Sequence, residues 1–146
     1  MRNVADDLES RLSVAGKLRG IDEHAASQHP APGKWSAKET IGHLIDSAAN
    51  NHQRFVRLQM LDQLELPGYE GDAWVRLEQY QNRPWLDLVS LWEGYNRHLA
   101  HVIRCVDPGA LKHTWNSPDG VVDLEFIIRD YVVHMQHHLD QIQGDL

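Results

Sequence analysis

The chain has 146 residues, 14 basic against 21 acidic, for a formal charge of −7. That length suits a single domain spanning 1–146 with an ordinary core, and the charge repels phosphate backbones, which disfavours nucleic-acid binding. A lone cysteine, Cys105, excludes an internal disulfide; with no basic leader and no apolar run near the ~20 residues of a bilayer span, the expectation is a cytoplasmic protein with no membrane partner.

Four segments carry a helical period, and nothing reads as a strand pair. The first runs from about Val4 to Glu23, with Asn3 as N-cap and Leu8, Leu12, Ala15 and Leu18 at spacings of three and four. "HPAPGK" (His29 to Lys34) then breaks helix with two prolines and a glycine. Ser36 followed by Glu39 predicts a capping box for the second helix, which continues to about Asp62. Ile41, Leu44, Ile45, Ala48, His52, Phe55 and Gln59 share its broad face. "ELPGYEGDAW" (Glu65 to Trp74) ends it, and Asp72 to Asn82 suits a short helix laid across the bundle. Pro84, at a predicted first helical position, opens the third helix, whose face is marked by Trp85, Leu88, Trp92, Tyr95, Leu99, Val102 and Val106. "DPGALKHTWNSPDG" (Asp107 to Gly120) reads as a turn-rich connection, and the fourth helix runs from near Asp123 to just before Gly144. Helices of about 20 residues with short-to-medium links predict an all-α, antiparallel four-helix bundle.

The unusual number is ten histidines, scattered internally. In the last helix, at 100° per residue, Ile127, Tyr131, His134, His138 and Ile142 fall within about 80° of one another. His134 and His138, four apart, are neighbours on that stripe, while His137 lies to its side. Two imidazoles at this spacing are a common way for a helix to offer ligands to zinc, although buried histidines more often hold an ordinary hydrogen bond, here to Asp130 or Tyr131. A metal site needs a third ligand. His24, His43, His52, His98, His101 and His113 are candidates. His52 projects with the apolar face of the second helix, whereas His43 lies about 60° beyond the edge of that face, so periodicity does not choose His43.

"KWSAKETIGHLIDSAANNHQRF" (Lys34 to Phe55), "GYEGDAW" (Gly68 to Trp74) and "YVVHMQHHLDQI" (Tyr131 to Ile142) occur in order, and together resemble the DinB superfamily, especially its YfiT-like branch of metal-dependent hydrolases and bacillithiol transferase-like proteins. The resemblance covers roughly residues 30 to 142. It implies a DinB-type four-helix bundle, often dimeric, with one divalent metal, zinc or nickel, held by His43, His134 and His138. It also implies a small-molecule substrate and, in some relatives, a low-molecular-weight thiol as co-substrate.

Three imidazoles leave coordination positions open, as catalytic sites do. Such an ion favours hydroxide from water or thiolate from a thiol, so the ligand set is compatible with hydrolysis and with thiol S-transfer. The alternative is a non-catalytic metal-binding or dimeric structural bundle. Outer hydrogen-bond partners for the ligands are expected at Asp46, one turn beyond His43, and Asp130, one turn before His134, with Gln141 a weaker nominee. Trp35, Trp74, Trp92 and Tyr95 are read as core or dimer contacts. Cys105 is read as packing, because no His or Lys is placed with it.

Overall fold

The computed structural model describes residues 1–146. Its helices are α1 (Arg2–Arg11), α2 (Ala15–Arg19), α3 (Glu23–Ser27), α4 (Ala37–Met60), α5 (Gly71–Glu78), α6 (Trp85–Arg104) and α7 (Leu124–Gly144). Its strands are β1 (Gln63–Leu64), β2 (Thr114–Ser117) and β3 (Gly120–Asp123). The first predicted helix is thus real but interrupted. A 3-10 turn at Leu12–Val14 joins α1 to α2, and the apolar stripe Leu8, Leu12, Ala15 and Leu18 stays buried throughout.

Four long rods form the bundle. The α1–α2 rod packs on α6, and α1 also on α7; α4 packs on α6 and α7 as well. One core, from Val4 to Ile142, fills the centre, with Trp85, Trp92, Phe55 and Leu99 fully buried. No helix is long and apolar enough to cross a membrane.

Local chemistry sets the starts. Both halves of the α4 capping box form: the Glu39 amide donates to Ser36 Oγ at 3.2 Å, and the Ser36 amide to the Glu39 carboxylate at 2.9 Å. Asp123 caps α7 by accepting from the Phe126 amide at 2.8 Å. Pro84 is the N-cap of α6 rather than its first helical residue. The Trp85 indole N–H donates to the Leu18 carbonyl at 2.7 Å and ties α6 to the end of α2.

The expectation of no strands is corrected. β2 and β3 form a hairpin, with Thr114 opposite Asp123 and Ser117 opposite Gly120, and β1 adds in parallel through Gln63–Thr114 and Leu64–Trp115. Pro118 and Asp119 make the two-residue turn, and Gly120 supplies a φ of 129° that a side chain would resist. This small sheet is what carries Trp115 to the bundle. Its indole N–H donates to the Leu66 carbonyl at 2.7 Å, which fixes the ring in place.

Candidate metal centre

Because α4 packs directly on α7, a residue of α4 can meet a pair from α7. His43 is that residue. Its Nε2 lies 3.2 Å from His134 Nε2, which lies 3.1 Å from His138 Nε2. Ligand nitrogens from the three residues all lie within 4.8 Å of one another. Metal–nitrogen bonds of about 2.0–2.1 Å at a tetrahedral angle put ligand nitrogens about 3.3–3.4 Å from each other. Both short separations lie within about 0.3 Å of that spacing, and the set as a whole spans no more than 4.8 Å.

Proton accounting points the same way. Gln141 Oε1 takes the Nδ1–H of His138 at 2.8 Å, while the Gln141 amide faces His137 Nε2 at 3.2 Å. His138 Nε2 then carries a lone pair aimed into the cluster. Three imidazoles meeting Nε2 to Nε2 cannot all satisfy one another with one N–H each. A cation satisfies all three, so the residues fit a divalent metal.

Electrostatics keep the cluster in its ligating form. Burial, then the neighbouring charges of His138 and His134, push the His43 pKa down to about 3. Burial likewise lowers His134 and His138; nearby Asp130 pulls His134 partly back, and the Gln141 hydrogen bond does the same for His138. Neutral imidazole is the metal-binding form.

Aromatic and glycine contacts shape the surroundings. The Trp35 ring lies 4.8 Å from the His43 ring and 6.1 Å from that of His138, centroid to centroid. Trp35 therefore lines this site rather than acting only as core. Gly71, the first residue of α5, comes so close that a Cβ there would sit 3.1 Å from His43 Cε1. Trp92 is core as read, Trp74 packs on Tyr69 at 5.4 Å, and the Tyr95 hydroxyl meets His52 Nδ1 at 3.0 Å.

Several expectations need correction. His52, favoured by helical phase, faces Tyr95 and His98 on the α6 side. Phase failed because an isolated apolar stripe cannot say which of two neighbouring helices a border residue meets; His43, off the stripe, meets α7. His113 bonds the Leu58 carbonyl at 2.5 Å, and His24 and His101 are exposed. Asp46 is buried but accepts from the Tyr80 hydroxyl at 2.5 Å, and its second oxygen has no partner. His43 Nδ1 is itself buried without a partner, so Asp46 does not orient it. Asp130 is exposed at the cavity beside His134 and acts on it through charge. Tyr131 bonds Asn96 at 2.5 Å rather than either histidine. Cys105 is exposed, with His101 Nε2 3.8 Å from its sulfur, so it does not pack as expected.

A cavity of about 790 Å³ opens against His134. Ser47, Asn51, Arg54, Tyr69, Trp115 and Tyr131 are among its walls, and the size lies within the range of small-molecule sites. Sequence reading missed Ser47, Asn51 and Arg54. They recur from His43 at steps of 4, 8 and 11 residues, and all four are buried polar side chains. Polar residues at helical spacing on a buried helix were the available signal.

A helical bundle presenting three convergent imidazoles beside a cavity defines a class: metal-binding bundles with an accessible site. Residues 8–142 match the DinB superfamily, and the chain belongs to it. It is 23% identical over 138 residues to a Bacillus mycoides protein named "Putative metal-dependent hydrolase", covering 94% of this chain and 78% of that one. An Oceanobacillus iheyensis protein bearing the same description is 29% identical over 114 residues, covering 75% of this chain and 64% of the relative. Among solved structures, YfiT from Bacillus subtilis, described as "a probable metal-dependent hydrolase with an unusual four-helix bundle topology", superposes with a TM-score of 0.76 at 20% identity, over 99% of this chain and 82% of that one. That likeness shows the four-helix-bundle fold.

Proposed function

We propose that the chain is a metal-dependent enzyme acting on a small molecule, with His43, His134 and His138 holding one zinc or nickel ion. The observation that carries this reading is the meeting of three Nε2 atoms, at 3.1 and 3.2 Å, beside a cavity bordered by His134. A closed structural site would instead be ringed by four protein ligands.

Bound there, a divalent cation supplies Lewis acidity that favours the anion of water or of a thiol. The chain's own groups do the rest. Gln141 holds His138 in the Nδ1–H tautomer, keeping Nε2 free. Trp35 and Gly71 close off two sides of His43, limiting water and fixing the ring. Tyr69, Asn51 and Trp115 shape the space in which a substrate lies.

Two reactions fit: hydrolysis, which agrees with the names of the curated relatives, and transfer of a low-molecular-weight thiol to an electrophile. They are separated by assaying a panel of esters and amides against thiol-plus-electrophile pairs, with zinc-loaded, nickel-loaded and chelated protein. The reading predicts metal-dependent turnover in one class, lost in His138→Ala. No turnover in any arm, combined with a large fall in melting temperature on chelation, favours a structural metal instead. The same proposal takes the protein to be a homodimer. Trp85 and Trp92 are buried in its own core, leaving Leu86 and Leu91 as the exposed apolar residues of α6. Sedimentation as a monomer at micromolar concentration contradicts that part.

A further inference from the structure

A guanidinium removed from water ordinarily keeps a carboxylate beside it, because an unpaired buried charge is strongly disfavoured. Arg54 does not. It is 7% exposed, and no carboxylate is among the groups acting on its charge; burial lowers its pKa, and only the Tyr69 phenol acts against that. The Trp115 ring covers one face of the guanidinium, 3.9 Å from the ring centroid to Cζ. One terminal N–H donates to Asn51 Oδ1 at 3.3 Å, and the buried Nε has no partner. Arginine does not escape this by losing its proton. The charge is therefore held in place, desolvated on one face and short of an anion, in the wall of the cavity that His134 borders.

Its position on α4 is equally specific. Arg54 lies 11 residues beyond His43, three helical turns, so the two share a face and stand about 16 Å apart along the axis. Ser47 and Asn51 fill the stripe between them. Outside, exposed Glu70, Asp119 and Asp130 border the same cavity. They disfavour a phosphate dianion more than a singly charged carboxylate.

We propose that Arg54 anchors the carboxylate of the substrate, so that the substrate class is an elongated organic acid whose reacting group lies away from its carboxylate, toward the three histidines. This rests on the cavity being the substrate pocket of the proposed enzyme. Planar, bidentate pairing is the geometry a guanidinium offers a carboxylate, and a site built around it rejects the neutral isostere.

Calorimetric titration of the zinc-loaded protein with hexanoate, 4-phenylbutyrate and 3-phenylpropionate, each against its primary amide, and with inorganic phosphate, tests the assignment. At least one acid should bind ten-fold or more tightly than its amide. Arg54→Met, which keeps an unbranched chain against Trp115, should abolish that preference while leaving the bound zinc unchanged. Arg54→Gln should do the same, and covers the case in which the methionine variant fails to fold. In His138→Ala the acid preference should persist. Equal binding of acids and amides across the panel, or a preference that survives both Arg54 variants, overturns the inference, as does phosphate binding more tightly than every acid. A preference lost in His138→Ala but kept in the Arg54 variants places the carboxylate on the metal and overturns it while leaving the metal site standing. An Arg54-dependent preference in a protein that takes up no metal supports the subsite and rejects the enzyme reading alone.

Discussion

Replacing Gly42 by alanine tests whether α5 and the turn after it are held against α4 as described. The residue precedes His43, and a Cβ there would lie 2.5 Å from Tyr80 Cε2, with Cγ and Cδ2 nearer still. In an open helix the change would stabilise by about 1 kcal/mol through helix propensity. Here the Tyr80 ring must move bodily, which costs about 1–3 kcal/mol as overpacking. Moving it also strains the hydroxyl's bond to Asp46, worth about 1.5–3 kcal/mol for a charged acceptor. The net expectation is a loss of about 2–4 kcal/mol, or roughly 5–15 °C in melting temperature for a chain of this size. Urea unfolding of Gly42→Ala, Tyr80→Ala and the double variant supplies the measurement. In the Tyr80→Ala background the clash is gone, and Gly42→Ala should become neutral or stabilising by about 1 kcal/mol, a coupling of about 2–5 kcal/mol. A Gly42→Ala protein as stable as wild type, or one destabilised equally in both backgrounds, refutes the packing argument.

Two pH experiments follow from the same neighbourhood. Burial raises the Asp46 pKa to about 6, against its ordinary 3.8. The folded state thus holds this proton more tightly than the unfolded chain, and the stability it contributes is full below about pH 4 and lost as pH rises through about 6, by up to about 3 kcal/mol. Asp46→Asn keeps an acceptor for Tyr80 and removes the ionisation, so in urea its stability should gain on wild type between pH 4 and 7; a pH-independent difference contradicts this. For the histidines the sign is opposite: their depressed pKa values keep them neutral on acidification. Three imidazoles titrating at an ordinary 6.5 would lose roughly 50-fold in metal affinity from pH 7.5 to 6.0. Zinc affinity here, measured with a competing chelator, should fall by less than about ten-fold, and a 50-fold fall refutes the electrostatic picture.

The helices were legible because their signals are local. The Ser36–Glu39 cap, Pro84 and the stripe from Leu8 to Leu18 each specify an element within a few residues. The hairpin was hidden for a related reason: β2 and β3 have four residues each, and only Trp115 among them is buried, so no alternation builds up. The Ser-Pro-Asp-Gly turn between them was the usable clue. At the site, the convergence of His134 and His138 followed from spacing alone. His43 did not, because choosing among six histidines requires knowing which helix α4 faces at each turn, and that is a property of the bundle. The buried face of α7 also runs through Ile128, Met135 and Leu139, leaving His134 and His138 half-buried at its edge rather than at its centre. Arg54 escaped notice since nothing local distinguishes a buried arginine from a solvated one; the sheet that places Trp115 over it makes the difference.

The metal content of the purified protein tests the three-histidine centre most directly. Mass-spectrometric metal analysis of protein isolated without a nickel column, then reloaded with zinc and desalted, should give about one ion per chain for wild type and for His52→Ala. His43→Ala, His134→Ala and His138→Ala should each fall to near zero while remaining folded. Wild-type protein that retains no ion after reloading, or a His43→Ala variant that retains as much as wild type, contradicts the three-histidine centre.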